Sequence, residues 1–473
     1  MLRTRNGCQT ARITVVPRRK APGALLAGAS AVAALLFLAT ASLAAQQVGR
    51  IHYETYTLSN GLTVVLSEDH TTPIVSVNIW YHVGSANERP HRSGFAHLFE
   101  HMMFQGSAHV KKSEHMQLVE RAGGDENGST VEDRTNYFET LPSNRLNLGL
   151  WLEADRMRSL AVNQANFENQ RQTVKEERRM RVDNQPYSKA FLDGLTLPFD
   201  SAGCFSYAHT VIGDMADLDS AKVEDVQAFF NQYYAPGNAV LTVVGDFAPV
   251  EVRRLIQQYF GDIPRVEAAA PVTCDYQYGT GERRMEVTDS NANLPLVALL
   301  YKAPPQSDPD APALELLISI LGDGESSRLN RSLVRDARAA VNAGAFGDLR
   351  RRSGVVIVFG IDNQGVPSSR VEQLLTAEVE RAHTDTISEA ELTKAKNQYR
   401  AGAIRQRQTT MGVAEALQSA LWFDGSLDAA NDDVQRHLAV TTADLARVAQ
   451  KYLVNANRLV LIDNPPAGRG ASQ

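Results

Sequence analysis

The chain has 473 residues, 43% of them apolar and 22% charged, with a formal net charge of −6. That is too long for one ordinary core and too rich in apolar residues for a low-complexity or disordered chain. The first 44 residues hold no acid and six bases (Arg3, Arg5, Arg12, Arg18, Arg19 and Lys20), so their loss would take the net charge from −6 to −12 and leave a poor general binder of nucleic acid or anionic membrane.

No charge falls between Ala21 and Gly49, and the Ala- and Leu-rich stretch Leu25–Leu43 runs into the small-residue exit Ser42-Leu43-Ala44. Basic, then apolar, then small is the order of a secretory signal, expected here over residues 1–44. Export to the periplasm or beyond follows, with no stable membrane insertion once the segment is removed. A retained anchor is the alternative, since about 19 apolar residues span a bilayer. Cys8 leaves with the signal. Cys204 and Cys274 are expected as two free buried thiols, although an oxidising compartment would let them pair.

Strand signals follow at Leu62–Leu66, after the turn pair Asn60-Gly61, and at Ile74–Trp80. Helical periodicity runs over Ser93–Phe104 and Ser113–Arg121, then through one long helical region from Ser143 to Asp183. A helix over Ser220–Tyr233 leads through Ala235-Pro-Gly-Asn238 into a strand, Ala239–Val244. The second half repeats this plan. Pro73–Trp80 has a counterpart in Pro295–Lys302, and Gln232-Tyr233-Tyr234 before its strand recurs as Gln450-Lys451-Tyr452 before Leu459–Ile462. Two matches at nearly one offset predict a duplicated α+β unit of roughly 220 residues. The expected divisions are 51–262 and 283–465, joined by a linker over 263–282 and closed by a disordered tail over 466–473. Ser388 with Glu391 reads as a capping box, with Ile387 and Leu392 as its hydrophobic staple.

The chemistry sits in Gly94-Phe-Ala-His97-Leu-Phe-Glu100-His101-Met-Met-Phe104. On a helix His97 and His101 lie one turn apart on one side, a spacing that grips one Zn²⁺. A catalytic zinc takes three protein ligands and keeps one position open for water. Glu100 then serves better as the base for that water than as a ligand. His-x-x-Glu-His is the inverted zinc-peptidase motif. The third ligand has to come from elsewhere. Glu176 and Glu177 lie in a charged helical stretch that physics alone reads equally well as a solvated face. His109 and His115, also near in sequence, read as ordinary surface histidines.

The sequence resembles the insulinase/pitrilysin family of zinc peptidases over nearly the whole chain after the signal, in the branch of the processing peptidases. The carriers are Val83-Gly-Ser-Ala-Asn-Glu88, Gly94–Gly106, Ala122–Thr130, Asp133-Arg-Thr-Asn-Tyr137 and Tyr233–Asn238. The resemblance implies that the third ligand is the Glu 76 residues after His101, which is Glu177. It assigns His97, His101 and Glu177 to one zinc per chain, Glu100 as the base, and Glu176 to the outer face. It implies two similar units forming a half-clamshell, and a chamber closed by a second copy or a related chain. Inside, a peptide or unfolded segment adds to a strand edge, oriented by Asn127.

Two departures stand out. Many members carry a Glu where this chain has Gln170. Members also often carry an Arg/Tyr pair for substrate and oxyanion, and here Arg335 aligns but the Tyr position is Asn342. Loss of such a donor costs a factor of about 10²–10³ in rate unless another group, or a partner chain, supplies it. The chain therefore reads as the zinc-bearing endopeptidase subunit. The rival is a non-catalytic peptide-binding or assembly subunit that keeps the fold. In the second copy, His97, Glu100 and His101 align with Ser319, Gly322 and Asp323, so no second zinc is expected.

Overall fold

Alternating apolar and polar residues build the first half into a mixed sheet. The computed structural model describes residues 48–467, apart from 202, 268, 275–280 and 385–386. Gly49–Gln473 forms one compact unit. The expected signal over 1–44 and most of the expected tail lie outside the described residues.

The first sheet holds β1 (Glu54–Thr57), β2 (Thr63–Glu68), β3 (Ile74–Tyr81), β4 (Asp125–Thr130), β5 (Thr135–Pro142) and β6 (Ala239–Gly245), in the order β1-β2-β6-β3-β5-β4. The second holds β7 (Arg283–Thr288), β8 (Leu296–Ala303), β9 (Ala340–Leu349), β10 (Gly354–Asp362) and β11 (Arg458–Asn464), in the order β7-β11-β8-β10-β9. Without β1 the two orders coincide, and each has one parallel pair, β2 with β6 and β7 with β11. β3 and β8 begin 222 residues apart. The repeat read in the sequence is one architecture built twice.

The helices of the first half are α1 (Phe95–Met102), α2 (Glu114–Arg121), α3 (Leu146–Ser159), α4 (Gln164–Arg178), α5 (Ser188–Thr196), α6 (Met215–Ser220), α7 (Val223–Tyr233) and α8 (Pro249–Phe260). Those of the second are α9 (Ala311–Gly322), α10 (Ser368–Arg381), α11 (Glu389–Gln406), α12 (Thr410–Ser419), α13 (Ala429–Ala439) and α14 (Thr442–Tyr452). Among the described residues no helix is long and apolar enough to cross a membrane.

Strand alternation decides what covers each face. Val75, Val77, Ile79 and Tyr81 of β3 enter a core with Leu98, Phe99 and Leu150. Ser76, Asn78 and Trp80 point the other way, onto α12 of the second half. There Gln418 Nε2 donates to Val240 O at 2.9 Å, and Glu415 Oε1 accepts from Asn78 Nδ2 at 2.7 Å. In return α5 of the first half brings Ala190, Phe191 and Leu195 onto the second sheet, against Leu300, Ile357 and Leu461. α5 and α12 also begin 222 residues apart. Equivalent helices thus cross between the halves, and neither sheet is covered by its own half alone.

The structure corrects two of these readings. The long helical region from Ser143 to Asp183 is two helices, because the chain turns extended at Leu160 and α4 restarts on the Asn163 cap, whose side chain accepts from Asn166 N. The helix expected over Ser220–Tyr233 is α7, which starts at Val223 and ends at Tyr233 as expected, with the short α6 before it. Cys204 and Cys274 are bonded rather than free, since both are buried in one cluster with Phe199 and Tyr207 and their Cα atoms stand 4.8 Å apart. The Ser388–Glu391 capping box forms as expected, with Ile387 and Leu392 buried in one cluster behind it.

Candidate metal centre

The pattern of α1 separates its two faces. Phe95, Ala96, Leu98, Phe99 and Met102 are buried, which leaves His97, Glu100 and His101 on the remaining arc. α4 packs beside α1 and delivers Glu177 from its last turn. His101 Nε2 lies 3.2 Å and His97 Nε2 3.7 Å from Glu177 Oε2. The donor atoms of His97, His101 and Glu177 all fall within 4.8 Å of one another. Two imidazole nitrogens and a carboxylate oxygen at that spacing are a donor set suited to Zn²⁺.

The three donors differ in their electrostatics. Burial, together with the His101 and Arg181 charges, pushes His97 down to about 4, so its imidazole is neutral at pH 7. Its Nδ1 is buried without a hydrogen-bond partner among the described residues, so hydrogen bonding within the protein leaves that polar edge unsatisfied. The hydrogen bond with His101 holds Glu177 below the usual carboxylate range, and Arg181 adds an ion pair at 2.8 Å. Burial opposes the charged form of His101, but the Glu177 hydrogen bond and the Glu100 charge outweigh it and raise its affinity for a proton. Gln170, in the place of the family Glu, is within hydrogen-bonding reach of the same ring.

Glu100 stands apart from this triangle in its contacts. Its Oε2 accepts from Thr130 Oγ1 at 2.5 Å, and burial raises its pKa. Thr130 ends β4, the edge strand of the first sheet, so the carboxylate is tied to a strand whose outer main-chain groups meet no neighbouring strand among the described residues. Beside His97 opens a cleft of about 440 Å³, walled by Phe191, Leu192, Leu195, Val211 and Ile212 with Glu177 and Arg181 at its polar end.

The remaining candidates fall elsewhere. Asn127 is exposed on β4, and its side chain accepts from the Gly128 amide at 2.8 Å. Arg335 and Asn342 are exposed in the second half, on the irregular helical turn Asn330–Asp336 and on β9, and neither lines the His97 cleft. Glu176 pairs with Arg179 on the solvent side. His109 bonds Asp155 and is 66% exposed. His115 is not a surface residue: it is buried, and it pairs with Glu126 and Glu139 at 3.0 and 2.9 Å. Sequence reasoning passed over Thr130 and Arg181. Arg181 had a signal, being one helical turn beyond Glu177. Thr130 had only its place in a Gly-rich run.

A family model for insulinase (peptidase family M16) matches residues 63–196, and one for the M16 inactive domain matches residues 220–399. The zinc protease PqqE of Helicobacter pylori is 32% identical over 93% of this chain and 98% of its own length. The chain belongs to the insulinase family. This insulinase-family chain is also 23% identical to a probable mitochondrial-processing peptidase subunit beta of Arabidopsis thaliana, over 84% of this chain and 75% of that one. Its fold superposes on the crystal structure of a protease from Helicobacter pylori with a TM-score of 0.83 and 30% identity, covering 88% of this chain and all of the other. The periplasmic protease PqqL of Escherichia coli shares the fold at a TM-score of 0.71 and 18% identity, over 88% of this chain and 48% of its own. The His97 cluster lies under the first family model, and the inactive-domain model runs from just before α7, late in the first half, through most of the second.

Proposed function

We propose that the chain is a zinc-dependent endopeptidase that cuts peptides or unfolded protein segments. The observation that carries this reading is the placement of Glu100, held by the edge strand through Thr130 beside three residues able to bind one metal. In it, His97, His101 and Glu177 hold Zn²⁺. When bound, the metal supplies a Lewis acid for the scissile carbonyl and lowers the pKa of its water. The chain's own residues do the rest. The outer edge of β4 takes the peptide main chain, with Asn127 orienting it, and the apolar cleft beside His97 takes a side chain next to the scissile bond. Glu100, with its proton affinity raised by burial, accepts a proton from the attacking water and returns it to the leaving amine. Thr130 keeps the carboxylate oriented while the proton moves.

The units over 51–262 and 283–465, export after loss of a signal, and closure by a second copy or a related chain belong to the same proposal. Arg335 and Asn342, exposed in the second half, then face substrate from the partner's side of the chamber, and a partner's Arg/Tyr pair completes the oxyanion site. The second reading, a non-catalytic peptide-binding subunit, draws on Gln170 and Asn342 and on the inactive-domain match. An assay on quenched fluorescent peptides, with and without chelator, tests both readings, using the chain alone and then with any chain that co-purifies. Chelator-sensitive cleavage supports the endopeptidase. Peptide binding without cleavage in either preparation would leave the second reading standing.

A further inference from the structure

α1 has eight residues and begins without a capping side chain, because the residue before it is a glycine, Gly94, in the left-handed region at φ 84°. A helix of two turns makes few internal hydrogen bonds, so the amides of its first turn need outside acceptors. They find one six residues upstream. Glu88 Oε2 accepts from Gly94 N at 2.9 Å, and Oε1 accepts from Ala96 N at 2.7 Å. This carboxylate is wholly buried, at the helix end where a negative charge is stabilising. Its far side meets His209, whose Nε2 lies 2.9 Å from Glu88 Oε2 and 3.0 Å from Ser85 O. His209 Nδ1 lies 2.8 Å from Phe205 O, and the ring stacks on Phe205 at 4.3 Å. Both ring nitrogens face acceptors, so the ring donates from both and stands as a cation against the carboxylate. The Cys204–Cys274 bond anchors the turn that presents it.

The next residue after Ala96 is His97. A shift at the start of α1 therefore moves His97 first, while His101 is one turn further into the core. We propose that Glu88 and His209 are positioning residues for the candidate metal site, setting the start of α1 and so the place of the His97 imidazole relative to Glu177. The inference rests on the zinc reading above. It adds a function for two buried charges that bind neither metal nor substrate.

The test uses the full chain and three readouts: Zn²⁺ affinity by competition with a chromogenic chelator, the visible spectrum of the Co²⁺ form, and the thermal midpoint of the metal-free chain. Glu88→Gln turns an amide NH₂ toward backbone N–H groups. It should lower Zn²⁺ affinity about 10–100-fold, the usual size for groups that orient ligands, and shift the Co²⁺ bands. Glu88→Asp keeps both oxygens and should recover part of that loss. His209→Gln keeps one donor and should fall in between, and the double variant Glu88→Gln/His209→Gln should lose no more than Glu88→Gln alone. Wild-type affinity in both single variants overturns the proposal, and so does a lowered thermal midpoint with affinity intact. If Glu88→Gln does not fold, His209→Gln decides alone. A wild-type chain that takes up no Zn²⁺ sinks the zinc reading and this inference with it, whereas normal uptake by wild type and variants sinks only the inference.

Discussion

Where α1 presents His97, Glu100 and His101, α9 of the second half and the residue that ends it present Ser319, Gly322 and Asp323, and where α4 presents Glu177, α11 presents Tyr399. The cleft of about 440 Å³ beside His97 has its counterpart in a pocket of about 170 Å³ lined by Tyr399, Asp433 and Val434. That second pocket is lined by polar groups that pair with one another. Tyr399 stacks on His437 at 3.5 Å and donates to Asp433, while His437 Nε2 lies 2.8 Å from Glu315. Backbone distance accounts for part of the difference. A Cβ on Gly322 would collide with the Ala345 backbone of β9, whereas the corresponding edge of the first sheet leaves room for the whole Glu100 side chain and bonds it through Thr130. One fold therefore holds a candidate metal arc beside a larger apolar cleft in one copy and a smaller, internally paired polar pocket in the other.

The largest expected effect separates the two copies by activity. Glu100→Gln should cut peptide turnover by about 10²–10⁴-fold with zinc content unchanged, while Asp323→Asn leaves turnover as it was. A Glu100→Gln chain that still cleaves would remove Glu100 from its role. Metal content sharpens the same contrast. The wild-type chain should carry one zinc, His97→Ala none, and Tyr399→Phe one, and two zincs in the wild type would break the asymmetry.

Stability against pH probes the smaller, polar pocket. Burial opposes the charge on His437, but hydrogen bonds with Asp433 and Glu315 outweigh it and push the pKa up to about 9, from an ordinary 6.5. The folded value lies above the unfolded one. This stabilisation is therefore complete below pH 6.5, is lost as pH rises through about 9, and amounts to about 3 kcal/mol at most. His437→Gln should flatten the fall of the urea midpoint across that window, and an unaltered fall would assign it to other groups. The smallest effects come from two glycines. Gly322→Ala should cost about 1–3 kcal/mol through its collision with β9. Gly402→Ala, in α11 with open space around it, should gain up to about 1 kcal/mol by removing a helix-interior glycine. Equal responses in chemical unfolding would mean that β9 yields.

The repeat and most central strands were legible because each is a local apolar run, and β3 and β8 fall where the sequence places them. α1 was legible for the same reason. The hairpin of β9 and β10 was not, since five of the ten residues of Ala340–Leu349 are glycine or alanine and there is no clean alternation. Glu177 could be chosen over Glu176 only by resemblance, because one residue on a charged helix looks like its neighbour until another helix packs against it.

The sequence by itself determined what lies within one helical turn. His97, Glu100 and His101 share an arc because the helix repeats every 3.6 residues, whatever surrounds it. Tertiary structure decided everything that arrives from a distance: Glu177 opposite His101, Thr130 on Glu100, the Cys204–Cys274 bond, and the exchange of α5 and α12 between the halves. Such contacts depend on how whole elements pack, and no local period encodes that.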